Sequence, residues 1–266
     1  MSDQQIFILE HDGSKNPLYT SWSQALSVPF TFVEQYATGW MPPANCALLV
    51  SAQHYREPEF SILRRAVELA IPTLIIADGI LAYRNTWENP EIAAGCMFQP
   101  LIGHKIACLG RSQVRVLESW GNLGKCELVG SPRMDSLLAG PRRERETGKP
   151  CRILVMTAKK LGFTAEQVAL TKRSIRDLKY WFSQHPRTNG TELQVVWRLT
   201  QDLDKEIGVQ NNLSGFEADE LEKILKTVDA VVTAPSTSML EAMLQRVPVA
   251  LVTIITGLIM SPRLGT

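Results

Sequence analysis

The stretch DAVVTAPSTSMLEAMLQRVPVALV, residues 229–252, decides the fold class. Its two ends, DAVVT and PVALV, are short apolar runs typical of strands that are buried on both faces. The segment between them has helical spacing and opens with one proline and three hydroxyl side chains. We expect its apolar face, formed by Met239, Leu240, Met243 and Val247, to pack against a sheet. A strand, a helix and a second strand in this order predict a parallel βαβ unit.

The same alternation extends along the whole chain. Apolar runs predict strands at 6–9, 47–51, 73–77, 105–109, 127–130, 152–157, 193–199, 229–233 and 248–252. Helical spacing predicts helices at 57–70, 111–120, 165–184, 217–227 and 237–246. The fold class is therefore α/β with parallel sheets.

One break in composition suggests how the chain is divided. The segment AGPRRERETGKP, residues 139–150, is rich in charge, proline and glycine, as domain linkers are. We predict two Rossmann-like domains, at 1–140 and 150–266. The residues after Val252 show no helical pattern, so we expect the second domain to be truncated at its C-terminal end.

Composition excludes several classes of function. The formal net charge is +1, which offers no electrostatic attraction to nucleic acid. No run of about 18 apolar residues occurs, and the first residues lack the basic segment of a secretory signal, so we expect a cytoplasmic protein. The four histidines are isolated in the sequence, so we expect no metal site.

The turn between DAVVT and the helix has two chemical interpretations, which are compatible. The amide groups and dipole of a helix N-terminus attract anions, and the hydroxyls of Ser236, Thr237 and Ser238 add donors, so a phosphate fits there. Alternatively, Ser238 and Glu241 form a capping box, which explains both residues without a ligand.

This stretch resembles the nucleotide-sugar motif of GT-B-fold glycosyltransferases, in which a serine- and threonine-rich turn precedes x-x-E-A and then P-V. The resemblance implies a domain that binds a nucleotide-activated donor. It implies that the loop contacts the donor diphosphate and that Glu241 contacts the ribose. The implied loop positions are Thr233, Pro235, Ser236, Thr237 and Ser238.

Two further motifs are similar to those of capsule polysaccharide transferases and CDP-glycerol glycerophosphotransferases. VGSPRMD, residues 129–135, resembles a G-x-P-R-x-D signature, which implies that Arg133 faces a donor phosphate; a plain proline turn is the alternative. VVWRLTQD, residues 195–202, occupies the place of a strand followed by R-P-H-P. Arg198 is retained there as a donor-binding candidate, whereas Leu199 and Thr200 replace the proline and histidine.

The first domain contains a candidate acceptor site in IADGILAYRNTWENP, residues 76–90. The related transferases have a histidine–glycine loop here, and in this chain Asp78 occupies the histidine position. A carboxylate at the carboxyl end of a strand suits a general base for an acceptor hydroxyl. Arg84, Asn85 and Trp87 are further candidates for the lining of a cleft, whose other side we place around 233–241. The alternative is a polar loop in which Asp78 caps the next helix.

The resemblance implies a metal-independent transferase of surface polysaccharide synthesis. Its donor would be a nucleotide-sugar or a CDP-polyol, and its acceptor a sugar or a lipid-linked molecule. We expect no resident cofactor, no nucleic-acid partner, and peripheral association with the inner face of a membrane. Two alternatives are a non-catalytic or degenerate nucleotide-binding protein and a sugar-nucleotide epimerase of the same fold.

Overall fold

A computed structural model of the chain describes residues 4–92, 97–138, 148–200, 202–213 and 218–252. The chain divides into two compact units, Met1–Ala139 and Gly140–Thr266. The predicted linker at 139–150 lies mostly outside the described residues, as does the predicted truncation after Val252.

In the described part of the first unit, six parallel strands form one sheet in the order β2-β1-β3-β4-β5-β6. The strands are β1 (Gln5–Leu9), β2 (Phe30–Val33), β3 (Cys46–Ser51), β4 (Thr73–Ile76), β5 (Lys105–Cys108) and β6 (Cys126–Leu128). The helices are α1 (Pro17–Ser23), α2 (Glu59–Glu68), α3 (Tyr83–Trp87), α4 (Arg111–Ser119) and α5 (Asp135–Leu138). Short 3-10 turns at Gly13–Lys15 and Pro132–Met134 precede α1 and α5.

Both faces of this sheet are covered, which explains why its strands are apolar without alternation. On one face, Ile8 and Val50 pack with Tyr19 of α1. On the other, Leu49 and Ile75 pack with residues of α2 and α4. The chain order reverses at β1, which lies between β2 and β3.

The second unit contains a sheet in the order β11-β10-β7-β9-β8 in the part of the chain described. Its strands are β7 (Cys151–Met156), β8 (Arg187–Thr188), β9 (Thr191–Arg198), β10 (Ala230–Thr233) and β11 (Val249–Leu251). Its helices are α6 (Ala165–Gln184), α7 (Leu203–Ile207), α8 (Ala218–Leu225) and α9 (Thr237–Leu244). Successive residues of β7 point to opposite faces, so Leu154 belongs to one core cluster and Val155 to the other.

The α/β class and the parallel sheets are confirmed, with one exception. β8 pairs antiparallel with β9 in a hairpin that the apolar pattern did not predict. The turn of this hairpin is Asn189–Gly190, and both residues have positive φ, 48° and 76°. Asn-Gly is the preferred sequence for such a turn because glycine adopts positive φ without a steric penalty.

We expect Gly190→Ala to lower the free energy of unfolding by about 1 kcal/mol, because an added Cβ disfavours the left-handed conformation. The space around Gly190 is empty, so the loss comes from the backbone alone. Gly39→Ala is the matched control, since its φ lies outside the left-handed range and its Cβ also meets open space. Denaturant titration measures both; equal stabilities for the two variants would contradict the prediction.

Candidate functional site

The carboxyl end of β4 in the first unit positions Asp78. Asp78 is the second residue after the strand, and Arg133 Nη2 donates a hydrogen bond of 2.8 Å to its backbone oxygen. The residue as a whole is exposed, yet many protein atoms surround its carboxyl group. Desolvation therefore raises its pKa above the usual value, and the positive charge of Arg133 opposes the rise. A carboxylate with a raised pKa is a stronger base once ionised.

Asp78 lines a cavity of about 50 Å³ at the carboxyl ends of β3 and β4. Asn85 of α3 and Gln113 of α4 also line it. Gln113 supports the fold, since it donates to the oxygen of Gly79 and accepts from the amide of Leu109. Of the predicted residues, the structure therefore brings Asp78 and Asn85 to one cavity.

His54, which lines the same cavity, was not predicted from the sequence. It follows β3 and is only 3% exposed. Its Nε2 atom donates to the carbonyl oxygen of Met97, and its buried Nδ1 atom has no hydrogen-bond partner among the residues that the structure describes. Burial lowers the pKa of the imidazole, and the backbone of Met97 and of Ala52 opposes this shift. The signal in the sequence was its place three residues beyond the end of a buried strand.

The other predicted residues of the first unit have different surroundings. Arg133 lies in the wall of a separate, mostly apolar cavity of about 230 Å³ between α1 and the ends of β4 and β5. Trp87 packs edge-to-face against Trp120, with ring centroids 5.5 Å apart. Neither Trp87 nor Arg84 lines either cavity. Asp78 does not cap α3, whose N-cap is Ala82.

The candidate donor site of the second unit lies where the strand order reverses at β7. Arg198 ends β9 and Thr233 ends β10, and both residues are paired in register with Met156 of β7. Strands in a sheet are about 4.8 Å apart, so the backbones of Arg198 and Thr233 lie roughly 10 Å apart at the same edge. Arg198 is 5% exposed, so its guanidinium group is held within the protein. Ligands of open α/β sheets gather at such reversal points.

The turn into α9 differs from the predicted capping box. The N-cap of α9 is Ser236, without a side-chain cap, and its hydroxyl is 2.7 Å from that of Ser238. Glu241 is therefore the fifth residue of the helix, too far along it to reach the N-cap amide. The capping-box interpretation is wrong because the helix begins one residue before Ser238.

The position at which α9 begins also determines the surroundings of the other residues of the turn. Thr233 is buried and its hydroxyl donates to the oxygen of Ala234 at 3.0 Å, whereas Pro235 is exposed. Thr237 opens the helix and shares a face with Glu241, which is half-buried. The predicted apolar face is wrong in one respect: Met243 is 56% exposed, and Ala242 is buried instead.

Two basic residues at this edge were also missed. Lys159 and Lys160 are the third and fourth residues after β7 and are exposed. The Thr200 hydroxyl donates to the oxygen of Lys159 at 3.2 Å, which ties the loop after β7 to the loop after β9. The two lysines on the loop after β7 add positive charge at this edge of the sheet, as suits phosphate recognition. The signal was the sequence TAKK immediately after a buried strand.

Known proteins match this chain in structure but not in sequence. No protein-family model matches the chain, and no curated protein sequence matches it. Solved structures do match. MnaA from S. aureus, in complex with UDP, aligns with a TM-score of 0.64 at 11% identity, over 92% of this chain and 78% of that one. The chain has the GT-B fold.

Two further GT-B structures show the breadth of this similarity. A UDP-N-acetylglucosamine 2-epimerase aligns with a TM-score of 0.55 at 10% identity, over 96% of this chain and 79% of that one. The wall teichoic acid polymerase TagF aligns with a TM-score of 0.51 at 10% identity, over 93% and 69%. Both enzymes are similar to this chain in fold. A sequence identity of 10% shows no similarity beyond the fold.

The predicted GT-B fold is thus confirmed. The roles of the candidate residues, the division of donor and acceptor between the domains, and the predicted cleft stay predictions. Among the helices that the structure describes, none combines the length and apolar character needed to span a bilayer.

Proposed function

We propose that this protein is a transferase that moves a sugar or a polyol phosphate from a nucleotide-activated donor to an acceptor during surface polysaccharide synthesis. The observation that carries the proposal is the edge of the second sheet. Arg198, Thr233 and the N-terminus of α9 lie together where the strand order reverses at β7. A buried guanidinium group and a helix N-terminus together suit a diphosphate.

The charge at this edge supports a phosphate-bearing ligand further. Lys159 and Lys160 add two exposed positive charges at the end of the central strand β7. The hydroxyls of Ser236 and Ser238, 2.7 Å apart, offer donors at the start of α9. In the proposal, the diphosphate lies against these groups and Glu241 accepts hydrogen bonds from the ribose hydroxyls.

The first unit supplies the acceptor side of the proposal. Asp78 has a carboxyl group whose pKa is raised by burial, as suits a general base for a hydroxyl. The solved structures of similar fold include TagF bound to CDPG and MnaA bound to UDP, so nucleotide ligands occur on this fold.

An epimerase is the second candidate, because a UDP-N-acetylglucosamine 2-epimerase shares the fold. Such a reaction needs an acid–base pair beside the donor and releases no free nucleotide in net turnover. A transferase releases nucleotide only when an acceptor is present. A non-catalytic nucleotide-binding protein does neither.

The test has two stages. A thermal-shift screen with UDP, GDP, CDP and CMP identifies the base; a ligand at 100 times its Kd stabilises the folded state by about 2.7 kcal/mol. The matching activated donors are then incubated with and without sugar and polyol acceptors, and nucleotide release is followed by phosphorus NMR. Binding of none of the four nucleotides would refute the proposal, and epimerised donor without release would establish the second candidate.

Lys159→Gln tests the basic edge of the second sheet. We expect nucleotide affinity to fall roughly fivefold at low salt, and less at high salt, because the lost interaction is an exposed charge. Lys223→Gln is the control, since this exposed lysine lies in the last turn of α8, which leads to the opposite edge of the sheet. Calorimetry at two ionic strengths measures both; equal affinities for the two variants would remove Lys159 from the site.

A further inference from the structure

The cavity behind Asp78 has the size of a small part of a ligand. Its volume is about 50 Å³. A water-sized group needs about 10–15 Å³ by this measure, so the cavity holds roughly three or four non-hydrogen atoms. That is enough for the end of a polyol or of a sugar side chain, and too little for a nucleotide.

His54 presents an unused hydrogen-bond acceptor here. Because Nε2 donates to the carbonyl of Met97, the proton of the neutral imidazole lies on Nε2 and the Nδ1 atom has a free lone pair. The ring is fixed further by contacts with Phe98 and Tyr55, whose ring centroids are 5.2 and 5.1 Å away. Buried polar atoms are nearly always paired, so a buried Nδ1 that has no partner among the described parts of the chain points to a group that the cavity receives.

The polar groups of the cavity select the chemistry of that group. Asp78 and the Nδ1 atom of His54 accept hydrogen bonds, and the amide of Asn85 in the same lining can donate one, so a hydroxyl group, which both donates and accepts, matches the cavity. Among the described residues that line the cavity there is no lysine or arginine, which disfavours a charged phosphate or carboxylate ligand. The described residues also form no cluster of three metal-binding side chains, which argues against a cation.

The apolar part of the lining agrees with a carbon-bound hydroxyl. Phe98 and Ile106 supply surfaces that suit C–H groups. We propose that this cavity binds a terminal hydroxymethyl group of a polyol or sugar, whose hydroxyl donates a hydrogen bond to His54 Nδ1 beside Asp78. The statement that this ligand is the acceptor rests on the proposed function. The binding itself is tested without any nucleotide.

The probe is glycerol, the smallest polyol with such an end. The chain has four histidines, so the imidazole signal of His54 in a labelled sample is assigned by its loss in His54→Gln. We expect a saturable shift of this signal with a Kd of roughly 10–100 mM, as suits a few buried atoms. No saturable change up to about 1 M glycerol, far above that range, would overturn the proposal.

The variant separates binding from structure. Glutamine places its amide near the position of Nε2, so His54→Gln keeps a donor for Met97 and removes the acceptor at Nδ1. We expect glycerol affinity, followed by the methyl signal of Ile106, to fall at least fivefold while the melting temperature changes little. Equal affinity in wild type and variant would overturn the role of Nδ1. His185→Gln, on the surface of the second unit, is the control and should leave glycerol affinity unchanged.

A second variant, His54→Asn, keeps the proposal testable if His54→Gln does not fold. Asparagine places its amide near Nδ1, so His54→Asn keeps a polar atom facing the cavity and loses the bond to Met97. We expect it to be less stable than wild type and to retain more glycerol affinity than His54→Gln. The opposite order of affinities would overturn the proposal. Because nucleotides play no part, failure here leaves the donor site of the second unit untouched.

Discussion

Replacing Asp78 with asparagine is expected to lower the turnover number about 100- to 10,000-fold, the usual contribution of a general base. Nucleotide affinity should stay within about twofold, because the carboxylate is needed mainly in the transition state. The reason lies in its environment: desolvation raises the pKa of the carboxyl group, so the ionised form is a stronger proton acceptor than an ordinary aspartate. The measurement is donor turnover at saturating acceptor, with calorimetry for the nucleotide.

Stability should change in the opposite direction to activity. The pKa of Asp78 is raised on folding, so the charged form is disfavoured in the folded state. The penalty is complete above the folded pKa and vanishes below the unfolded pKa near 3.8. We therefore expect Asp78→Asn to be more stable than wild type at neutral pH, and to lose this advantage under acid. If Asp78 had a structural role instead, the substitution would destabilise the protein.

The pH profile provides a separate check. Asp78 acts as a base only when ionised, so the activity of wild type should fall as pH drops through its raised pKa, at a higher pH than for an ordinary aspartate. Asp135→Asn is the control, since Asp135 is an exposed carboxylate in the first turn of α5. An Asp78→Asn enzyme as fast as the Asp135→Asn enzyme would exclude Asp78 as the base.

The apolar pattern predicted the sheets because most strands are buried on both faces. β7 and β10 read as continuous aliphatic runs, and the structure begins and ends them within one residue of the prediction. β2 was missed because Phe30–Val33 is a short edge strand interrupted by Thr31, which resembles a loop. β8 consists of two polar residues and forms because of the turn that follows it. The Asn189–Gly190 sequence was therefore the feature that could have predicted it.

The candidate sites were predictable in position and less so in chemistry. Asp78 was predicted from its place at the end of a strand, whereas Arg198 and Thr233 were implied by the family resemblance. His54 was not predicted because its candidate role depends on an Nδ1 lone pair that has no partner among the described residues. Only the packing of the folded chain creates that arrangement. The helix start was misplaced because both Ser236 and Ser238 are good N-caps, and one residue decides which side chains face a ligand.

The corrected start of α9 sharpens the expectation for Glu241. A glutamate at the fifth helical position contributes nothing to a capping box, so its role there no longer explains its presence. It shares a helical face with Thr237 and Ser238, the hydroxyl residues of the first turn. A carboxylate on that face can accept hydrogen bonds from the two hydroxyls of a ribose whose phosphates lie at the helix N-terminus.

Glu241→Gln should therefore lower nucleotide affinity roughly 10- to 100-fold, because charge-assisted hydrogen bonds contribute about 1.5–3 kcal/mol. The free energy of unfolding without ligand should change by less than about 1 kcal/mol, since glutamine preserves the shape and helix propensity of the side chain. Calorimetry and the denaturant midpoint measure the two quantities on the same preparation. Glu222→Gln on α8, which removes a 2.5 Å surface ion pair with Lys226, is the matched control and should leave affinity unchanged. Affinity retained in Glu241→Gln would place the ribose elsewhere, whereas a loss of both affinity and stability would show that Glu241 supports the helix instead of touching the nucleotide.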